Sequence, residues 1–198
     1  MELILRADSA VLLWIQENLR NDVITPIVKF ITHLGDDGIL WIALLIILMC
    51  IKKTRKAAFL TAVALLMTFI TTNLILKPLV ARIRPYEVID TLTILISKPS
   101  DFSFPSGHTA NSMAVGISLW LIGLQTRKKP ESTLYFPNSA GWFFLILSIL
   151  ISISRLYLGV HYPTDVIAGA LIAALMSSIC FYAHNKAASP QPPLKNHP

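Results

Sequence analysis

Three short clusters in this 198-residue chain gather cations, histidines and a carboxylate into sets suited to chemistry at phosphorus. The first is Lys77 followed by Arg84-Pro85; the second is Pro105-Ser106-Gly107-His108; the third is Ser154-Arg155, then His161, then Asp165. Lys77, Arg84 and Arg155 supply positive charge: a guanidinium fork matches two phosphate oxygens at once, and an ammonium adds a point charge. Ser106 and Gly107 stand just before an apolar run, hence at a predicted helix start, where backbone N–H groups favour an anion. Asp165 follows His161 by four positions, so one carboxylate can fix the imidazole tautomer and leave a neutral nucleophile. His108, beside the anion site, is placed to protonate a leaving oxygen as general acid. These groups favour in-line displacement at phosphorus through a phosphohistidine that water then hydrolyses, with the cations stabilising the equatorial oxygens. Asp165 is the one acid in the constellation, too few ligands for a two-metal site, so neither a metal nor another cofactor is expected.

What positions these residues is a set of apolar segments. The chain is 54% hydrophobic and 14% charged, with mean hydropathy +0.62, against about 25% charged residues in a soluble domain. A water-soluble globule and a disordered chain are both disfavoured. Net charge is +6, but the basic residues sit in short loops between apolar runs, so nucleic acid is not an expected partner. Cys50 and Cys180 lie in apolar runs and give neither a disulfide framework nor metal spacing.

A spanning helix needs about 20 mostly apolar residues, and segments 38–51, 57–76, 109–124, 140–154 and 166–183 meet or approach that length. The expectation is an all-α, polytopic bundle of about five transmembrane helices over residues 35–185. Residues 1–34 are too charged for a span; their stripes (Val11, Leu12, Ile15, Leu19, then Ile27, Val28, Ile31, Leu34) read as amphipathic helices, interfacial or packed on the bundle. Thr25-Pro26 reads as an N-cap with proline at the first helical position. The proline-rich residues 186–198 read as a disordered tail.

Nine of the 17 basic residues fall in the loops after the first and third spans and in the tail, with Glu131 as their single acid. By the positive-inside rule these loops and the C-terminus are cytoplasmic. All three clusters then face outward at one membrane surface, a placement that used hydropathy and loop charge alone. The expected location is the plasma membrane, multi-pass, with the site on the extracytoplasmic face.

The clusters resemble the motifs of the type 2 phosphatidic acid phosphatase family, the membrane branch of the superfamily that includes vanadium haloperoxidases. All eleven motif positions are present: Lys77, Arg84, Pro85, Pro105, Ser106, Gly107, His108, Ser154, Arg155, His161 and Asp165. The resemblance implies His161 as nucleophile, Asp165 as its partner and His108 as acid. It implies Lys77, Arg84, Ser106, Gly107 and Arg155 as phosphate ligands. It further implies a lipid substrate whose tails stay in the bilayer, undecaprenyl diphosphate first, with phosphatidylglycerol phosphate and phosphatidic acid as alternatives. A bundle that only binds or moves phosphorylated lipids is the rival of a different class, disfavoured because binding alone needs neither His108 nor a His161–Asp165 pair. Nothing in the sequence fixes the oligomeric state.

Other polar residues carry plainer expectations. His33, His184 and His197 read as structural. Arg82 reads as a snorkelling interface arginine or a further headgroup contact. Thr71, Thr72 and Asn73 read as interhelical hydrogen-bonders or as residues that line the pocket, and Trp41, Trp120, Trp142 and Tyr182 as an aromatic belt. The Thr91–Ser97 run reads as an interfacial packing segment or a guide for a lipid chain.

Overall fold

The computed structural model describes residues 2–188 and contains helices and connections without a strand among them. The helices are α1 (Glu2–Asn18), α2 (Ile24–His33), α3 (Ile39–Cys50), α4 (Arg55–Phe69), α5 (Lys77–Val80), α6 (Gly107–Lys128), α7 (Asn138–Tyr157) and α8 (Pro163–Ala188). A π-helical stretch, Ile70–Leu76, joins α4 to α5. Such segments recur at functional sites, because the extra residue per turn re-aims the side chains that follow.

Helix α6 is the axis of the bundle and packs against α4, α7 and α8. Its buried positions are mostly Gly, Ala, Ser and Thr, with only Val115, Leu119 and Ile122 larger, which lets neighbouring backbones approach closely. At Gly141 of α7, an added Cβ would lie 2.9 Å from the Leu119 carbonyl and 3.0 Å from Trp120 Cα. Large apolar side chains face outward instead: Phe143, Ile146, Ile153, Leu171 and Leu175 are all exposed, as expected where the surroundings are lipid.

By length and apolarity three helices qualify as spans: Arg55–Glu87 (α4 through the π stretch and α5), α7 and α8. A fourth qualifies if α2 and α3, bent by 42° at their junction, act as one broken span. The expected five are not reached this way. Helix α6 has the length, at 22 residues or about 33 Å, but not the apolarity, because the other helices enclose it. The 38–51 segment holds only the 12-residue α3, about 18 Å long.

Helix α1 lies against α7 and α8 and buries Asp8, Leu12 and Ile15 while Leu3, Ile4 and Trp14 stay exposed; it is the amphipathic element expected, held on the bundle. Helix α2 starts at Ile24, one residue before the anticipated cap. The Asn21 side chain accepts the Val23 and Ile24 amides at 3.0 and 2.8 Å, and the Thr25 hydroxyl pairs with Tyr157 Oη. Trp41 is fully buried and donates to Ser112 Oγ at 2.9 Å, so it belongs to the core. Trp142 and Tyr182 are exposed, and Trp120 meets Trp142 edge-on at 5.3 Å. The tail beyond residue 188, including His197, lies outside the described residues.

Candidate active site

The C-terminal end of the α4–α5 span, the α6 N-terminus, the α7–α8 connection and the α2–α3 junction meet at one end of the bundle. The basic loops meet at the other, where Lys53 Nζ lies 5.9 Å from the Tyr135 ring and Thr133 pairs with His184. At the first end opens a cavity of about 870 Å³, lined by Lys77, Arg84, Gly107, His108, Arg155 and His161. Two expected site residues, Ser106 and Asp165, stand behind this wall.

His161 follows the Gly159 turn after α7 and is 1% exposed. Its Nδ1 faces Asp165 Oδ2 at 3.5 Å, and its Nε2 lies 3.3 Å from Arg84 Nη1 on the cavity side. Burial drives its pKa down to about 3 despite the Asp165 carboxylate, and the nearby Arg84 and Arg155 charges push the same way. The ring is therefore neutral at physiological pH and carries a lone pair without prior deprotonation. The same Asp165 oxygen accepts from Ser103 Oγ at 2.5 Å and the Tyr162 amide at 3.0 Å.

Ser106 caps α6, accepting the Thr109 amide and hydroxyl at 3.4 and 3.0 Å. Its own N–H, expected to be free for an anion, donates to the Asp165 carbonyl at 3.1 Å. The donors left free at this helix start are thus the Gly107 and His108 amides, the first two of the helix, which have no intrahelical acceptor. Gly169 permits this seat: a Cβ there would lie 2.8 Å from the Ser106 carbonyl. At Gly107 a Cβ would lie 2.9 Å from Asn73 Oδ1 and 3.4 Å from Lys77 Nζ, inside the space the cations surround. Gly107→Ala is expected to lower turnover at least about tenfold, or about 1.4 kcal/mol, with an unchanged melting midpoint in detergent. Wild-type turnover in that variant would remove the Gly107 amide from the anion site.

Arg155, in the last turn of α7, donates Nη1 to Thr32 Oγ1 at 2.6 Å, while its buried Nε has no hydrogen-bond partner. Arg84 donates to the Val160 carbonyl at 2.7 Å and to both the carbonyl and the carboxylate of Asp101. Asp101 also pairs with Lys77. Burial alone would raise the Asp101 pKa, but Lys77 and Arg84 together hold it at about 2.

Four acids thus serve the constellation, where one was expected. Besides Asp165 they are Asp101 on Lys77 and Arg84, Asp36 on His108, and Asp8 on Arg82. The last pair corrects the reading of Arg82. Its guanidinium bridges Asp8 at 2.8 Å and Asp165 at 2.5 Å and lies 3.9 Å over the Tyr162 ring. It is neither a snorkelling residue nor a headgroup contact but a clasp behind the Asp165 carboxylate. Thr71 and Thr72 hydroxyls bond back into their own helix, whereas Asn73 lines the cavity. The Thr91–Ser97 run mainly packs: Thr93 holds Gln16 and Arg20, and Ile94 to Ile96 cover Ile15, Tyr157 and Leu158. The signal for Asp36 was available in Gly35-Asp36-Asp37-Gly38, a polar turn between two apolar stripes. Asp8 and Asp101 carry no comparable mark.

Residues 55–189 match the family described as the PAP2 superfamily. The chain is 30% identical over 151 residues to an undecaprenyl-diphosphatase of Sulfolobus acidocaldarius, covering 75% of this chain and 65% of that one. It is 30% identical to undecaprenyl-diphosphatase BcrC of Bacillus subtilis (82% and 75% covered) and 32% identical to phosphatidylglycerophosphatase B of the same organism (80% and 74% covered). The crystal structure of a transmembrane PAP2-type phosphatidylglycerolphosphate phosphatase from Bacillus subtilis superposes with TM-score 0.76 at 24% identity, covering 96% of this chain and 90% of that one. Fold, motif geometry and these likenesses agree: the chain belongs to the PAP2 superfamily and is a polytopic membrane phosphatase of that family.

Proposed function

We propose that this phosphatase releases phosphate from a polyprenyl diphosphate lipid of the undecaprenyl type at the extracytoplasmic face of the membrane, through a phosphohistidine on His161. The observation that carries the reading is the two-part lining of a single cavity. Cations and imidazoles line one end, and Ile42, Leu45, Ile46 and Met49 of α3 with Leu65, Leu66 and Phe69 of α4 line the other. Ile42, Ile46, Leu66 and Phe69 are exposed, so this end offers a hydrocarbon chain an accessible apolar wall leading to the charged end.

The steps follow from the geometry. The phosphoryl group sits among Lys77, Arg84, Arg155 and the Gly107 and His108 amides. The His161 Nε2 lone pair attacks phosphorus while the bond to the leaving oxygen breaks and His108 gives that oxygen a proton. Asp165 accepts Nδ1–H and stabilises the positive ring that results. Water then attacks the phosphohistidine, His108 takes its proton, and the P–N electron pair returns to His161. The cations stabilise the equatorial oxygens throughout, so the proposal is metal-independent.

Phosphate release by purified protein across undecaprenyl diphosphate, phosphatidylglycerol phosphate and phosphatidic acid, each with excess EDTA, tests the reading. Fastest release from the diphosphate, retained with chelator, is expected. Preference for a monoester would move the substrate to that class, and no release from any of the three would overturn the proposal. For the sidedness, a cysteine replacing Lys128, with Cys50 and Cys180 changed to Ser, is expected to resist impermeant thiol reagent in intact cells. Ready labelling there would reverse the orientation.

A further inference from the structure

Asp36 lies at the α2–α3 junction, outside every expected motif. One carboxylate oxygen lies 2.8 Å from His108 Nε2 and the other 2.7 Å from His33 Nδ1. Among the described residues nothing else hydrogen-bonds the His108 ring, so its Nδ1 is the nitrogen left for the substrate. The backbone is shaped for this contact. Asp37 and Gly38 are consecutive left-handed residues, with φ of 51° and 68°. The reversal separates α2 from α3 by 42° and brings Asp36 over the start of α6. Gly35 completes the grip: a Cβ there would lie 3.0 Å from His108 Cδ2 and 2.9 Å from Ile151 Cγ2, so this backbone lies against the ring edge. His33, Gly35, Asp36 and His108 all border the catalytic cavity. The remaining charges that act on the ring, Lys77 and Arg155, are both positive, which leaves Asp36 as the one anion placed to balance an imidazolium there.

We propose that Asp36 is the positioning residue of the acid step: it accepts Nε2–H from His108, fixes the ring with Nδ1 toward the leaving oxygen, and holds the positive charge of the proton-bearing form. The inference rests on the phosphatase reading, with His108 as proton donor. In the first step the Nδ1 proton passes to the leaving oxygen as the P–O bond breaks and the His161–phosphorus bond forms, leaving His108 neutral against Asp36. In the second, His108 recovers a proton from the attacking water as the P–N bond breaks, so no other acid is consumed. His33 holds the second oxygen and keeps the carboxylate from rotating away. The site thus has two His–Asp pairs, one behind the nucleophile and one behind the acid, on separate elements.

A leaving-group comparison tests this. Two synthetic phosphate esters with the same alkyl tail are used, one releasing an aliphatic alcohol, which needs a proton, and one releasing a nitrophenol, which does not. First-turnover alcohol release is measured for wild type and for Asp36→Asn, Asp36→Glu, His108→Ala and His161→Ala. Asp36→Asn is expected to slow the aliphatic ester about 100-fold, the low end of general-acid effects, and the nitrophenyl ester no more than about threefold. Asp36→Glu should recover part of the difference. The ratio between substrates is independent of the folded fraction, so partial unfolding does not mimic the result. Equal loss on both esters, or no loss on either, overturns the role of Asp36. Wild type inactive on both, or His161→Ala active, would instead overturn the phosphatase reading beneath it.

Discussion

His161→Ala is expected to abolish lipid phosphate release, by about 10⁴-fold or more, the scale seen when an enzyme loses its nucleophile. The reason is positional as well as chemical. His161 Nε2 lies on the cavity wall as the proposed nucleophile, and the low pKa set by burial keeps it free of a proton. No neighbour can replace it, because His108 is turned onto Asp36. The fold should survive the change. Asp165 keeps Ser103, the Tyr162 amide and Arg82 as partners, so no buried carboxylate is stranded. Membrane insertion and the melting midpoint should therefore stay near wild type, and ³²P-labelled lipid should no longer leave label on the protein. Retained turnover with that label intact would transfer the nucleophile's role elsewhere.

The second large effect is expected for Arg155→Lys, a change that preserves charge. Arg155 is 2% exposed, and its fork is divided: one nitrogen holds Thr32 of α2 and the others have no protein acceptor among the described residues. A lysine ammonium has the charge but not the planar fork, so it is expected to lose either the Thr32 contact or the second donor that Nε offers. Turnover should fall about 10²- to 10³-fold, as for removal of one preorganised donor to a developing charge. Vanadate, which adopts the trigonal-bipyramidal shape of the transition state, should lose inhibitory potency in parallel. If turnover falls while vanadate inhibition is unchanged, Arg155 supports the fold and not the phosphoryl group.

The residues that touch the proposed substrate were legible because each stands at a helix terminus next to an apolar run, where spacing and hydropathy mark it together. Lys77, Gly107, His108, Arg155 and His161 are all of this kind. Of the residues that hold them, Asp165 was legible, Asp36 was marked only by its polar turn, and Asp8 and Asp101 were not marked at all. Asp8, Asp36 and Asp101 reach the site from an amphipathic helix, a junction and a loop, and no periodicity relates them to the motifs. Arg82 was misread for a related reason: its partners are 74 and 83 positions away in the chain, so its neighbourhood suggested a basic turn. Trp41 shows the same limit in the core. A tryptophan near the end of an apolar run looks interfacial until the helix face it occupies is known, and here that face meets Ser112. The expected count of five spans is not confirmed: by length and apolarity three or four helices qualify, and the enclosed α6 is not among them.

The clasp behind Asp165 has a consequence for biogenesis. Arg82 joins Asp8, near the start of the chain, to Asp165, at the start of the last helix, and Thr164 closes the ring with its own bonds to Asp8. A nascent chain that lacks the last helix can pair Arg82 with Asp8 but has neither Thr164 nor Asp165 to complete the ring, and His161, the proposed nucleophile, has no carboxylate partner. Under the proposed mechanism, catalytic competence would then arrive only with the final helix, and a half-inserted translation product would be unable to strip phosphates from the membrane in which it is being assembled.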